Sequence, residues 1–176
     1  MRKLKLQELN RLSVDAFKEM DKTPIVLVLD NIRSGLNVGS AFRTADAFAL
    51  SGIALCGITA QPPHREILKT AIGATESVEW TYYPTTEEAL RHLKRDGYRV
   101  YAVEQTEPST ALQDFKVPEN TPLALVFGNE VKGVSEGALA EVEGSIEIPQ
   151  MGTKHSLNIS VCLGIVVWEC FRRLKF

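Results

Sequence analysis

The stretch Ile146–Gly164, IEIPQMGTKHSLNISVCLG, decides how the chain is read. It opens as a short apolar strand ending at Pro149 and passes through a polar loop, Gln150 to His155. It then enters an apolar helix at Ser156-Leu157-Asn158. A strand, a small-residue loop and a helix N-terminus form a ready place for ligand chemistry, because the first N–H groups of a helix lack helical partners. Two upstream segments have the same build: Asn31–Arg43, NIRSGLNVGSAFR, and Phe127–Gly133, FGNEVKG. Each belongs to an apolar run of strand length, Ile25–Leu29 and Leu123–Phe127. In parallel sheets the C-terminal ends of the strands share one edge, and ligands bind there. The three loops are therefore expected to meet around one ligand.

The rest of the chain supports a parallel sheet. Strands are expected at Ile25–Leu29, Ile53–Ile58, Val78–Tyr83, Arg99–Glu104, Leu123–Phe127 and Ile146–Ile148. Helices are expected at Ala41–Leu50, His64–Ala71, Thr85 to just before Gly97, Ser135–Glu141 and Ser156–Leu174. Thr85 and Glu88 have capping-box spacing, and Gly97 suits the residue after a helix end. Alternation of strand and helix gives the α/β class, with a mostly parallel sheet flanked by helices. Ile25–Leu29 is apolar at every position, as a strand covered on both faces must be. Residues 1–22 carry Leu4, Leu6, Leu9, Leu12, Phe17 and Met20 among charges and are expected to form an amphipathic helical extension, with a break at Ser13. Residues 23–176 form the main domain. Val161–Trp168 is apolar nearly all round, so the last helix needs cover on several sides, a subunit interface being one source.

With 176 residues, 44% of them hydrophobic, the chain suits one globular domain. The net charge of −2 gives no overall basicity, so any nucleic-acid contact depends on local clusters. Three clusters are present: Arg2, Lys3, Lys5 and Arg11; Arg91, Lys94, Arg95 and Arg99; Arg172, Arg173 and Lys175. Three cysteines without a C-x-x-C pair read as reduced core residues of a cytoplasmic protein. The histidines at 64, 92 and 155 have no metal-ligand spacing, so no metal is expected. The charged N-terminus lacks the apolar stretch of a signal peptide, so none is expected, and no apolar run is long enough to span a membrane.

The first loop has Gly35 and Gly39 but neither G-x-G-x-x-G nor the lysine of a phosphate-binding loop, which disfavours a conventional dinucleotide or P-loop site. It does carry Asn37 and Arg43; the second carries Gly128, Asn129 and Glu130; the third carries Gly152, Ser156 and Asn158. Singly, each has a plain explanation: Asn37 as a helix cap, Arg43 as a surface cation, Glu130 as a solvated carboxylate. Together, one behind each apolar strand, they point to a site.

Asn37-Val38-Gly39-Ser40-Ala41-Phe42-Arg43-Thr44-Ala45 resembles the first motif of the SpoU (TrmH-like) RNA 2′-O-ribose methyltransferases of the SPOUT superfamily. Phe127–Val134 resembles their second motif, and Ile148–Gly152 with Ser156–Val161 their third. The resemblance spans residues 24 to 170 in the right order. It implies a deep C-terminal trefoil knot involving roughly Leu123–Phe176, an exception to the rule of un-knotted connections. It also implies bent S-adenosylmethionine held in the knot loops, RNA as substrate, and a homodimer through the C-terminal helix. Arg43 would be the central catalytic residue, with Asn37, Glu130, Ser156 and Asn158 as its partners. The family mechanism often casts this arginine as a base. A guanidinium is very hard to deprotonate, which favours a cation that holds phosphate, oriented by a bidentate Glu130. The cofactor pocket would use Gln105, Thr106, Gly128, Asn129, Ile148, Met151, Ser156 and Leu157. By analogy with other compact members, tRNA is favoured over ribosomal RNA. Two further readings stay open: a non-catalytic RNA-binding SPOUT protein, and a different nucleotide-using α/β enzyme.

Overall fold

In the computed structural model, which describes residues 1–176 with the side chains of residues 6 and 7 excepted, the central strand is β1, Thr23–Asp30. Its side chains alternate between two cores, the two-residue period of an extended chain. Ile25, Leu27 and Leu29 enter one core with Phe42, Ile67, Val166 and Val167. Val26 and Val28 enter the other with Leu90, Leu93 and Ala138. This double burial explains a run with no polar position.

Among the described residues β1 is joined by β2 (Leu50–Cys56), β3 (Trp80–Tyr83), β4 (Arg99–Val103), β5 (Thr110–Ala111), β6 (Leu123–Phe127) and β7 (Gly144–Glu147). They form one sheet in the order β3-β2-β1-β6-β4-β7-β5, with every neighbouring pair parallel. The helices are α1 (Val14–Glu19), α2 (Gly35–Ala47), α3 (Arg65–Ala71), α4 (Ala74–Ser77), α5 (Thr86–Arg95), α6 (Glu136–Leu139) and α7 (Ile159–Lys175). Helices α2, α3 and α7 supply the first core, and α5 and α6 the second.

Several boundaries differ from the sequence reading, each for a local reason. Helix α2 starts at Gly35, not Ala41, because Ser34 caps it: its Oγ accepts the Asn37 N–H at 3.4 Å. Asn37 therefore sits in the first turn of a helix, not in a loop. Helix α7 starts at Ile159, not Ser156, because Asn158 takes the cap, its Oδ1 accepting the Ser160 N–H at 2.9 Å. Strand β7 ends at Glu147, so Ile148 lies just past it. Thr85 does cap α5, accepting the Glu88 N–H at 3.2 Å. The short α4 and β5 had no signal of their own, at four and two residues.

The N-terminal segment is less helical than its leucines implied. Helix α1 covers Val14–Glu19, capped by Ser13, and buries Phe17, whereas Leu4, Leu9 and Leu12 stay exposed. The apolar role expected of Leu6 lies outside the described residues. The middle basic cluster is also changed by its surroundings. Arg91 and Lys94 both pair with Glu141, and Arg99 pairs with Glu143. Arg99 opens β4 and Arg95 closes α5, so these charges stand at the sheet edge opposite the strands' C-terminal ends.

Candidate active site

Three adjacent strands end side by side and make the floor of a cleft. Val103 of β4 is in register with Phe127 of β6 and with Ile146 of β7. The chain leaves all three toward the same side, and the departing segments wall a cleft of about 700 Å³. Its walls are 104–106, 128–134, 147–148, Gln150 and 155–159, with Cys162 of α7 behind them. That volume lies within the range of small-molecule sites, roughly 300–1,000 Å³. Across it the Gln105 Nε2 donates to the His155 carbonyl at 3.1 Å, tying the β4 loop to the β7 loop.

At the rim a polar web joins the other loops. The Glu130 carboxylate accepts the Arg33 N–H at 2.9 Å, the Ser34 N–H at 3.0 Å and the Asn37 Nδ2 at 2.9 Å. The Asn37 Oδ1 in turn accepts the Asn158 Nδ2 at 3.4 Å. Residues 93 and 121 positions apart in the chain therefore meet in one line, Glu130–Asn37–Asn158. Burial opposes the charge on Glu130, but the donors at Arg33, Asn37 and Ser34 outweigh it and hold its carboxyl below the usual carboxylate range.

Gln105, Thr106, Gly128, Asn129, Ile148, Ser156 and Leu157 all line the cleft, as do Glu130 and Asn158. Met151 does not: it projects fully exposed from the 150–155 loop. Arg43 also stands apart. It is exposed on α2, six residues beyond Asn37, about 9 Å along the helix axis at 1.5 Å per residue. It lines a second hollow with Ser40, Thr44, Ala47, Phe48, Lys69, Thr70 and Ile72. The expected bidentate pair with Glu130 is not formed within the chain. Glu130 is committed to the start of α2, and among the described residues Arg43 has no ion pair.

Two carboxylates that sequence reasoning passed over shape the site from behind. Asp30, fully buried at the end of β1, accepts from Asn31 Nδ2 at 2.8 Å, Thr86 Oγ1 at 2.5 Å and the Ser135 N–H at 2.7 Å. Glu104 accepts the Gln105 N–H and the Val134 N–H, both at 2.9 Å. Together they fix where the 128–135 segment turns. For Asp30 the available signal was an acidic residue closing an otherwise apolar strand. The Asn129 side chain adds a third tie, donating to the Asn31 carbonyl at 2.7 Å. Gly128 is required by the chain itself, since a Cβ there would run into the backbone of Gly133 and Val134. Gly133 is the matching residue, at φ +71°.

The cleft suits a ligand with both apolar and polar parts: Ile146, Ile148 and Leu157 supply apolar surface, and Gln105, Asn129 and Ser156 supply polar groups. That donor set fits S-adenosylmethionine, whose adenine needs apolar faces and backbone partners and whose amino-acid end needs polar ones. Cys162 is no nucleophile here, because burial pushes its thiol up to about 11. Among the described residues no three His, Cys, Asp or Glu side chains gather as a metal site. Nor is any described helix long and apolar enough to cross a membrane.

The family model described as the SpoU rRNA methylase family matches residues 24–168. The chain is 32% identical over 170 residues to the tRNA (guanosine(18)-2′-O)-methyltransferase of Thermus thermophilus, covering 96% of this chain and 85% of that one. It is 29% identical over 167 residues to the 23S rRNA (guanosine-2′-O-)-methyltransferase RlmB of Vibrio parahaemolyticus, covering 95% and 66%. Among solved structures, the AdoMet-bound rRNA methyltransferase of Sinorhizobium meliloti superposes with a TM-score of 0.81 at 28% identity. That match covers 91% of this chain but 61% of the other, so the chain spans about three-fifths of that protein.

Proposed function

This chain belongs to the SpoU methylase family, and from that premise we infer that it is an RNA ribose 2′-O-methyltransferase with S-adenosylmethionine as methyl donor. The observation that carries the reading is the line Glu130–Asn37–Asn158, which draws residues of all three motifs to the rim of one cleft. The cofactor, when bound, supplies an activated methyl group, so no metal is needed. Gln105, Thr106, Gly128, Asn129, Ile148, Ser156 and Leu157 would hold it.

A sugar hydroxyl is a poor nucleophile until it shares its proton, so the protein's part is alignment and charge. Asn37 and Asn158 each donate and accept, which suits a ribose and its backbone. Ser156, at the cleft wall, would add a third polar contact through its hydroxyl. Glu130 fixes Asn37 and the entry to α2 and does not act on Arg43 directly. Arg43 serves as a permanent cation that holds phosphate and favours the developing alkoxide.

Arg43 is absent from its own cleft, and a homodimer accounts for that. Val161, Ile165 and Trp168 are 51%, 39% and 48% exposed along one face of α7, with Leu36 and Leu157 also exposed nearby. Apolar positions repeating at three and four residues on an otherwise packed helix need a partner. A second copy on this face would bring its Arg43 to the boundary between the chains. The same reading includes a cytoplasmic setting and a trefoil knot within Leu123–Phe176. In support of the knot, β6 inserts between β1 and β4, and β7 between β4 and β5, after those strands are laid down.

We favour tRNA over ribosomal RNA, the relatives named above including one of each kind. Nucleoside mass spectrometry of purified tRNA and rRNA, from cells with and without the gene, tests the reading. A 2′-O-methylnucleoside lost from the tRNA pool supports it. Loss from rRNA would move the substrate, and loss of a base-methylated nucleoside instead would sink the chemistry.

A further inference from the structure

The second hollow holds two cations and no anion. Arg43 of α2 and Lys69 of α3 both line it, both are exposed, and among the described residues neither has a carboxylate within 4.0 Å. Its other walls are Ser40, Thr44 and Thr70, with Phe48 and Ile72 as apolar cover. The two cations are neighbours because their helices cross unusually closely. A Cβ on Gly39 would collide with the Thr70 hydroxyl and the Ile67 carbonyl, so α3 lies directly on the α2 backbone there. Thr70 secures the crossing, its Oγ1 donating to the Leu36 carbonyl at 2.9 Å. Arg43 follows Gly39 by one helical turn, and Lys69 precedes Thr70. A lysine in the last turn of α3 also suits the helix dipole, but that does not explain why an unpaired arginine faces the same space.

Two like charges side by side repel, and a bridging anion removes the repulsion. The hollow's wall is continuous with α7, since Phe48 packs on Trp168 and Phe171 with ring centroids 6.0 and 5.1 Å apart. The anion site thus borders the face through which the catalytic cleft is proposed to be completed. The geometry points to this hollow as a subsite for a phosphodiester of the RNA substrate, with Lys69 as a substrate-positioning cation beside Arg43. The proposal rests on the methyltransferase reading for the identity of its ligand. Lys69 contributes affinity and register and takes no part in methyl transfer.

The test measures binding of the full chain to unfractionated tRNA, from cells lacking the gene, across a salt series. Lys69→Gln is compared with Lys69→Arg and with Lys94→Gln, whose lysine pairs with Glu141 at the far end of the sheet. One lost phosphate contact lowers the slope of log affinity against log salt by about 0.7–0.9 and weakens binding roughly fivefold at ~0.1 M salt. Lys69→Gln is expected to show that change, Lys69→Arg to restore the slope, and Lys94→Gln to match wild type. Methyl transfer at saturating RNA is expected to stay within about twofold for Lys69→Gln, so that KM for RNA rises alone. An unchanged slope in Lys69→Gln overturns the subsite, as does a kcat loss with KM for RNA intact. A wild type that binds the RNA with the Lys69-dependent slope yet methylates neither tRNA nor rRNA counts against the methyltransferase reading, not the subsite.

Discussion

Glu130 shows how one side chain can join two loops and how far its role was legible. Its sequence context, a glycine-flanked loop behind a buried strand, placed it at a site. Its partners could not be read there, because they are backbone N–H groups of residues 33 and 34, nearly a hundred positions away. The three donors hold its carboxyl below the ordinary range against the opposing effect of burial. Its folded pKa therefore lies below the unfolded value of about 4.3. The charge then adds stability above that value, and the contribution is lost as pH falls through the lower folded pKa. Glu130→Gln keeps the shape and removes the charge. At pH 7 its melting temperature is expected about 2–4 °C below wild type, in line with loss of a helix cap. The difference should close as both are titrated below about pH 4. Equal melting temperatures at pH 7 would mean that the carboxylate is not what anchors α2.

At the scale of elements, the α2–α3 crossing carries the most consequence for the least side chain. Gly39 was noted as a motif glycine, but its physical reason lies in α3, thirty residues on, packed against the α2 backbone. A methyl group there meets a carbonyl and a hydroxyl that have little room to give. Gly39→Ala is therefore expected to destabilise by about 1–3 kcal/mol through overpacking, although alanine is the better helix former. Chemical denaturation measures this, and a stabilised variant would refute the crossing. The elements themselves were largely readable, since β1, β6 and α5 carry strong periodic or unbroken apolar patterns. Their ends were not, because α2 and α7 begin where Ser34 and Asn158 find N–H partners, and only the folded backbone decides which polar residue caps. Of the middle cations that stood as an RNA-contact candidate in sequence, Arg91, Lys94 and Arg99 pair with Glu141 and Glu143.

For the whole molecule, the parallel sheet followed from the alternation of elements, whereas its strand order did not. β6 inserts between strands laid down earlier, and no local pattern encodes that choice. The exposed face of α7 leads to a prediction about assembly. If the proposed homodimer forms through that face, Ile165→Glu places a charge in its middle and is expected to turn a wild-type dimer into a monomer in sedimentation velocity. A dimer unaffected by it would locate the interface elsewhere. If Arg43 acts across the interface, inactive Arg43→Ala and Asn158→Ala chains, mixed and exchanged, should recover about a quarter of wild-type activity, because one site in each mixed dimer is intact. Ribose and base methylation are told apart by incubating the full chain with methyl-labelled S-adenosylmethionine and tRNA from cells lacking the gene, then hydrolysing the RNA in alkali. A 2′-O-methyl group blocks cleavage at its own linkage, so ribose methylation leaves the label in alkali-stable dinucleotides, which is the expected result. Label released in mononucleotides would mean methylation of a base and would overturn the ribose assignment.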